Sequence, residues 1–324
     1  MSNKINIVQA VQQALYNEMT LDETVVVYGQ DVGVEGGVFR ATVGLQKAFG
    51  SERIFDTPLS ESAIVGSAVG MAINGFKPVV EIQFMGFIYP AVNQIVSHVS
   101  RYRNRTRGER HLPMVIRAPY GGGIRALELH SESTEAMFAH IPGLKVVIPS
   151  TPYDTKGLLI SAIRDPDPVL FLEPKRIYRA FRQKVPEDAY TLPIGKAKIV
   201  KEGEDITVVT WGAMVPDVQK AVSTIDDISV EIIDLRTISP MDRETIVESV
   251  QKTGRILVVH EAAKSFGAGA EIVSVVNEKA FLSLEAPPTR LTGFDTIFPL
   301  PRGEKHYLPT PERIAKKIRE IAAY

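Results

Sequence analysis

Residues 145–174 read KVVIPSTPYDTKGLLISAIRDPDPVLFLEP. This run contains a complete strand–helix–strand unit: Lys145–Ile148 and Val169–Leu172 are near-continuous apolar stretches, and a helix between them runs towards Arg164. The helix start is marked twice, by Thr151 as a capping side chain and by Pro152 at the first helical position, where a missing N–H is not needed. Apolar strands without polar alternation belong in a parallel sheet covered on both faces. The alternation extends towards the N-terminus. Ile7, Val8, Val11, Leu15 and Met19 recur at helical spacing, Val25–Tyr28 is a short strand that ends in a glycine-rich loop, and Val79–Phe84 and Met114–Ala118 are further strands.

Towards the C-terminus the pattern weakens from about Glu173 to Asp205, a charged, proline-bearing stretch that reads as an interdomain connection. A second alternation follows, with strands at Ile206–Trp211, Val230–Leu235, Ile256–His260 and Thr289–Leu291, and a helix over Asp242–Thr253 terminated by Gly254. The expected fold is α/β, two doubly wound domains in tandem. The first spans residues 1–187, with its connection from about 173, and the second spans 188–324.

With 324 residues, 44% of them hydrophobic and 23% charged, the chain can bury about two cores. A net charge of −1 gives no broad basic field for nucleic acid or an acidic membrane. Cysteine is absent, which excludes disulfides, thiolate metal sites and cysteine nucleophiles. No apolar signal core or membrane-length apolar run is seen. The expectation is a soluble cytoplasmic protein of a bacterium or archaeon rather than a mitochondrial one, which would carry a transit peptide.

The most informative chemistry lies in Asp56-Thr57-Pro58-Leu59-Ser60-Glu61-Ser62, followed by AIVGSAVGMAINGF. Pro58 restricts the backbone, Ser60 can cap the helix, and Glu61 falls in the first turn, where the helix dipole favours a carboxylate. Ala63, Gly66, Ser67 and Gly70 share a face that admits close approach of another element. By spacing alone this is also what a capped, tightly packed core helix with a surface acid looks like.

The ordered runs GQDVGVEGGVFRAT, RIFDTPLSES, EIQFMGF, RAPYGGG, LELHSES, PGLKVVIPSTPYDTKGLLISAIRDPDPV, EPKRIYR and VEIIDLRTISPMD resemble beta subunits of the thiamine diphosphate-dependent decarboxylating component of 2-oxo acid dehydrogenase complexes, which are transketolase-like. The resemblance covers nearly the whole chain. It implies that Glu61 contacts the cofactor's aminopyrimidine and promotes its activation, that Phe87 packs on the pyrimidine ring, and that the Leu59 backbone lies beside it. It further implies that His130 is an acid/base in acyl transfer to a lipoyl group, a task suited to a side chain that titrates near neutrality.

The chain has no Gly-Asp dipeptide, whereas thiamine enzymes hold Mg2+ through an aspartate in a Gly-Asp-Gly run. The diphosphate and Mg2+ are therefore expected on an alpha subunit, in an assembly of two alpha and two beta chains. The resemblance also implies a potassium site near Met114, Ala162, Ile163, Asp165 and Asp167, for which a plain helix stop is the alternative. Docking onto the peripheral subunit-binding domain of a lipoyl acyltransferase is expected through Glu285 and the terminal carboxylate at Tyr324.

Pyruvate is the favoured substrate. A branched-chain 2-oxo acid or acetoin dehydrogenase subunit is the alternative, and a non-catalytic scaffold or nucleotide-binding protein is the reading from a different class. For the last, Gly267-Ala268-Gly269 after a strand is suggestive, but Ile272 replaces the third glycine of a dinucleotide fingerprint. His98, His111, His140, His260 and His306 match no motif and are expected to be structural. Gln30 and Asn93 stand where relatives often carry acids of a proton-conducting channel between two active sites, and an amide cannot relay a proton in this way.

Overall fold

The structure, a computed structural model, describes residues 4–324. Met1–Asn3, where the leader-free reading begins, lie outside the described residues. The strand–helix–strand unit forms as Lys145–Val147, Pro152–Arg164 and Val169–Pro174, with the two strands parallel and Val146 opposite Leu170. Thr151 Oγ1 accepts the Asp154 N–H at 3.1 Å, as the capping pattern requires.

The first sheet has seven strands, in the spatial order Thr237–Ser239, Lys145–Val147, Val169–Pro174, Val115–Tyr120, Lys77–Glu81, Val25–Gly29 and Ile54–Asp56. All pair in parallel except Thr237–Ser239, which is antiparallel to its neighbour. The second sheet runs Thr289–Leu291, Ile256–Val259, Ile206–Thr210, Val230–Asp234 and Lys198–Lys201, with an antiparallel edge at the last strand. In the second sheet's domain the helix Arg243–Thr253 is capped by Asp242 and ends at Gly254, whose φ of 68° suits glycine.

Two expectations need correction, and two short edge strands were not anticipated. The stretch Glu173–Asp205 is more than a connection: Gln183–Lys184 pairs with Lys4–Ile5, and Lys198–Lys201 is an edge strand of the second sheet. The strand Val79–Phe84 ends at Glu81, and Phe84 instead leads into a short turn of helix, Met85–Phe87. The three-residue edge strands Ile54–Asp56 and Thr237–Ser239 carried no readable apolar run.

The two sheets share one core rather than meeting at a polar surface. Tyr120, Ile148 and Leu172 of the first pack in the same buried cluster as Trp211, Leu235 and Ile272. At the centre of the first sheet the buried Arg117 lies between Glu173 at 2.6 Å and Glu81 at 3.0 Å, so its charge is matched from two adjacent strands. No helix among the described residues is long and apolar enough to cross a membrane.

Candidate active site

Glu61 is the first residue of the helix Glu61–Ile73 and is half-buried. Ser60 does not cap this helix with its side chain, contrary to the sequence expectation: its backbone sits at φ −160° and ψ 88°, and only its carbonyl takes part, accepting the Ile64 N–H at 2.9 Å. Glu61 itself makes no hydrogen bond or ion pair among the described residues, leaving a carboxylate in the favourable field of a helix start with its acceptor capacity unused. Leu59, just before it, is exposed. Of the small face, Gly66 is covered by the Gln94 amide, while Ala63, Ser67 and Gly70 are exposed. Among the described residues the close approach anticipated there is made at Gly66 and at Ser67, whose Oγ meets the Tyr28 hydroxyl at 2.9 Å.

The helix start is tied to the segment carrying Phe87, because Ser62 Oγ donates to the Pro90 carbonyl. Phe87 meets His130 edge-on with ring centroids 5.0 Å apart, and Phe84 meets the same imidazole at 4.5 Å. His130 therefore stands in an aromatic corner. Its Nδ1 is buried without a hydrogen-bond partner, so one ring nitrogen is enclosed and uncommitted. Sequence reasoning found Phe87 and His130 but not Phe84, although both phenylalanines lie in EIQFMGF. Nothing in the spacing said which would reach a histidine in a loop more than forty positions on.

His130 ends the turn Glu128–His130, in a loop that leaves the strand Val115–Tyr120 through Gly121, Gly122 and Gly123. That glycine stretch is held by groups distant in sequence. Gly122 N–H donates to Glu261 at 2.9 Å, Gly123 N–H to Glu304 at 2.7 Å, and Lys175 Nζ to the Gly121 carbonyl. Burial brings the Lys175 ammonium down to about 8 against the pull of Glu261, and burial also raises the Glu261 carboxyl. These partners of the loop were not anticipated, since Glu261 and Glu304 belong to the second domain.

The remaining expectations fare differently. Asp165 pairs with Lys145 at 2.6 Å and Asp167 with Arg103 at 2.6 Å, so both acids already face cations. A potassium ion there would depend on the carbonyl oxygens of Met114, Ala162 and Ile163, and two of these already accept N–H groups, Met114 from Val169 at 3.0 Å and Ala162 from Asp165 at 3.3 Å. Glu285 is exposed but bound to Arg255 at 2.5 Å, and Tyr324 is exposed. His260 is fully buried and stacked on Trp211 at 5.2 Å, with burial bringing its imidazole down to about 3. A Cβ at Gly267 or Gly269 would lie 2.8 Å from that ring. Close packing on His260 thus accounts for Gly267-Ala268-Gly269. A cleft of about 1030 Å³ lined by His140, Met241, Arg243 and Phe266 contains none of Glu61, Phe87 or His130. Glu61, Phe87 and His130 are each half-buried.

Residues 3–180 match the family "Transketolase, pyrimidine binding domain", and residues 195–314 match "Transketolase, C-terminal domain". The chain is 62% identical to the pyruvate dehydrogenase E1 component subunit beta of Acholeplasma laidlawii, over 98% of each chain. It is 50% identical to the protein of that name from Bacillus subtilis (strain 168), over 99% of each. The Mycoplasma genitalium protein of the same name is 51% identical over 98% of each. Among solved structures, "Split gene transketolase, inactive beta4 tetramer" superposes with a TM-score of 0.79 at 21% identity, covering 98% of this chain and 99% of that one, a likeness of fold.

Proposed function

The chain belongs to the pyruvate dehydrogenase E1 beta-subunit family, and we propose that it works with an alpha subunit, two of each, to decarboxylate pyruvate oxidatively and pass the acyl group to a lipoyl acyltransferase. Such a complex would act in the cytoplasm. The observation that carries this reading is a partnerless Glu61 carboxylate at a helix start tied through Ser62 to the segment of Phe87, whose ring with that of Phe84 corners His130.

Thiamine diphosphate, when bound, supplies the carbanion chemistry that lets a 2-oxo acid lose carbon dioxide. Glu61 suits that cofactor because its carboxylate is free to accept a hydrogen bond from an aminopyrimidine. Phe87 offers a half-buried ring as a wall. His130 has a buried, unpaired Nδ1 and can hold or move a proton while the flanking rings keep the imidazole from turning. The diphosphate and Mg2+ fall to the alpha subunit on this reading, since no Gly-Asp run offers them a site here.

EPKRIYR, which also suits branched-chain enzymes, does not favour that substrate. Its Lys175 holds the glycine loop, and its Arg176 pairs with Asp217 at 2.8 Å. Both are committed to the domain junction. The test is a substrate panel on the reconstituted alpha–beta pair, reading decarboxylation with an artificial electron acceptor. Pyruvate should give the highest kcat/KM; a branched-chain 2-oxo acid or acetoin turning over at least tenfold better would overturn the assignment.

A further inference from the structure

We infer that Glu261, with Glu304 beside it, is a positioning residue for His130 that acts across the domain junction through the backbone of the glycine loop. The inference rests on the catalytic reading of His130. Residues 121–132 form a loop closed at its neck, where Gly121 N–H donates to the Glu132 carbonyl at 3.0 Å. On the outgoing arm, three backbone N–H groups meet two carboxylates of the second domain: Gly122 to Glu261 at 2.9 Å, Gly123 to Glu304 at 2.7 Å, and Arg125 to both Glu304 oxygens at 3.3 Å.

The geometry leaves no room for a looser fit. A Cβ at Gly121 would stand 2.5 Å from Glu261 Oε1, one at Gly122 would overlap Phe298, and one at Gly123 would overlap Arg176. Glu261 and Glu304 are both buried. A buried carboxylate is tolerated when donors and cations surround it, and here the amides, Lys175 and Arg176 do so. At the far end the Leu129 carbonyl lies directly against Gly86, where a side chain could not fit. The loop is therefore fixed at its neck by Glu261, Glu304 and Lys175 and at its tip by Gly86. His130 is the residue after Leu129, and the turn Glu128–His130 is too short to hold its own position. Releasing the neck should let the imidazole leave the Phe84–Phe87 corner while the fold persists.

The test uses the alpha–beta complex carrying Glu261→Ala, Glu261→Gln, His130→Ala and the double variant Glu261→Ala/His130→Ala. Its readouts are hydrogen exchange over residues 121–132, thiamine diphosphate affinity, and the rates of lipoyl-domain acylation and of artificial-acceptor decarboxylation. Glu261→Ala should speed exchange in the loop and lower acylation relative to decarboxylation on the order of 10- to 100-fold, the range that loss of a hydrogen bond to a charged group represents. Cofactor affinity should stay within about twofold, because Glu61 and Phe87 are untouched. Glu261→Gln, which keeps an acceptor oxygen, should recover most of the loss, and the double variant should be no worse than His130→Ala alone. If Glu261→Ala does not assemble, Glu304→Ala takes its place with the same expected direction in exchange and acylation. Unchanged loop exchange, or an acylation loss that adds in full to that of His130→Ala, would overturn the positioning role. Normal acylation by His130→Ala alone would instead refute the catalytic reading on which the inference rests.

Discussion

Replacing Glu135 with Gln should raise the stability of the chain at alkaline pH relative to acid pH. Glu135 is fully buried, neither of its oxygens has a hydrogen-bond partner, and the buried Tyr120 and Trp211 are its polar neighbours. Burial pushes its carboxyl from 4.5 up to about 7, and nearby Glu261 adds to the rise. Below about pH 4.5 the group is protonated in both folded and unfolded chains, so it makes no difference to stability. As pH rises towards 7 the unfolded chain ionises while the folded one holds its proton, and stability is lost until the folded group ionises as well. At about 1.4 kcal/mol per pH unit, the interval corresponds to roughly 3 kcal/mol. For a chain of this size the entropy of unfolding converts that to a Tm difference of roughly 4 °C. Asp234, also fully buried and raised to about 7, loses stability in the same window, so the variant should remove only part of the wild-type slope. The glutamine amide brings donors that need acceptors, but that cost is the same at every pH. Melting curves of wild type and Glu135→Gln at pH 5 and pH 8 isolate the effect: the variant's gain in Tm should be about 4 °C larger at pH 8. An equal difference at the two pH values would refute the claim that Glu135 is held as a neutral acid.

For Glu61→Gln, near-isosteric and at a helix start that keeps its backbone bonds, the fold should persist while turnover of the alpha–beta pair falls on the order of 100- to 10,000-fold; near-normal turnover would remove Glu61 from the chemistry. The isolated beta chain should bind thiamine diphosphate weakly and without magnesium dependence, and calorimetry showing micromolar, magnesium-dependent binding would contradict the division of the site between two subunits. Affinity for the peripheral subunit-binding domain should fall with salt and with Glu285→Ala, as charge steering requires; because Arg255 already pairs with Glu285, the drop from the substitution should be the smaller of the two. Gln30 and Asn93 should leave the two active sites of a tetramer weakly coupled, giving near-equal cofactor activation in pre-steady-state measurements, and a persistent fast-and-slow pair unchanged in Gln30→Glu would count against a role for these amides.

The parallel sheets were legible because their strands are buried on both faces, and such strands announce themselves as unbroken apolar runs. The helix of the unit at 145–174 could be placed from Thr151-Pro152, since the cap and the proline state where it begins. What stayed hidden was short or dependent on distant partners. Ile54–Asp56 and Thr237–Ser239 are strands because a neighbour offers them an edge, not because three residues insist on it. The Ser60 cap failed for a similar reason: a capping residue type names a possibility, and the backbone angle reached after Pro58 decides it. At the candidate site, motif resemblance singled out Glu61, Phe87 and His130, whereas the contacts of Phe84, Glu261 and Glu304 form only when the chain closes.

That last group bears on how activity can be lost in this protein. The imidazole, its aromatic corner and Glu61 all come from the first sheet's domain, so a reading confined to motifs would treat the second domain as support for assembly. Yet the loop that ends at His130 draws two of its three neck partners from Glu261 and Glu304, and the cores of the two domains are continuous through Trp211 and Leu235. A change near Glu304 has no path to the chemistry through bonds along the chain. On the positioning role inferred above, it has one through two amides and a carboxylate. Damage in the second domain should therefore divide into two kinds: changes at the shared core should lower stability alone, and changes at the loop's neck should also alter the balance between decarboxylation and acyl transfer.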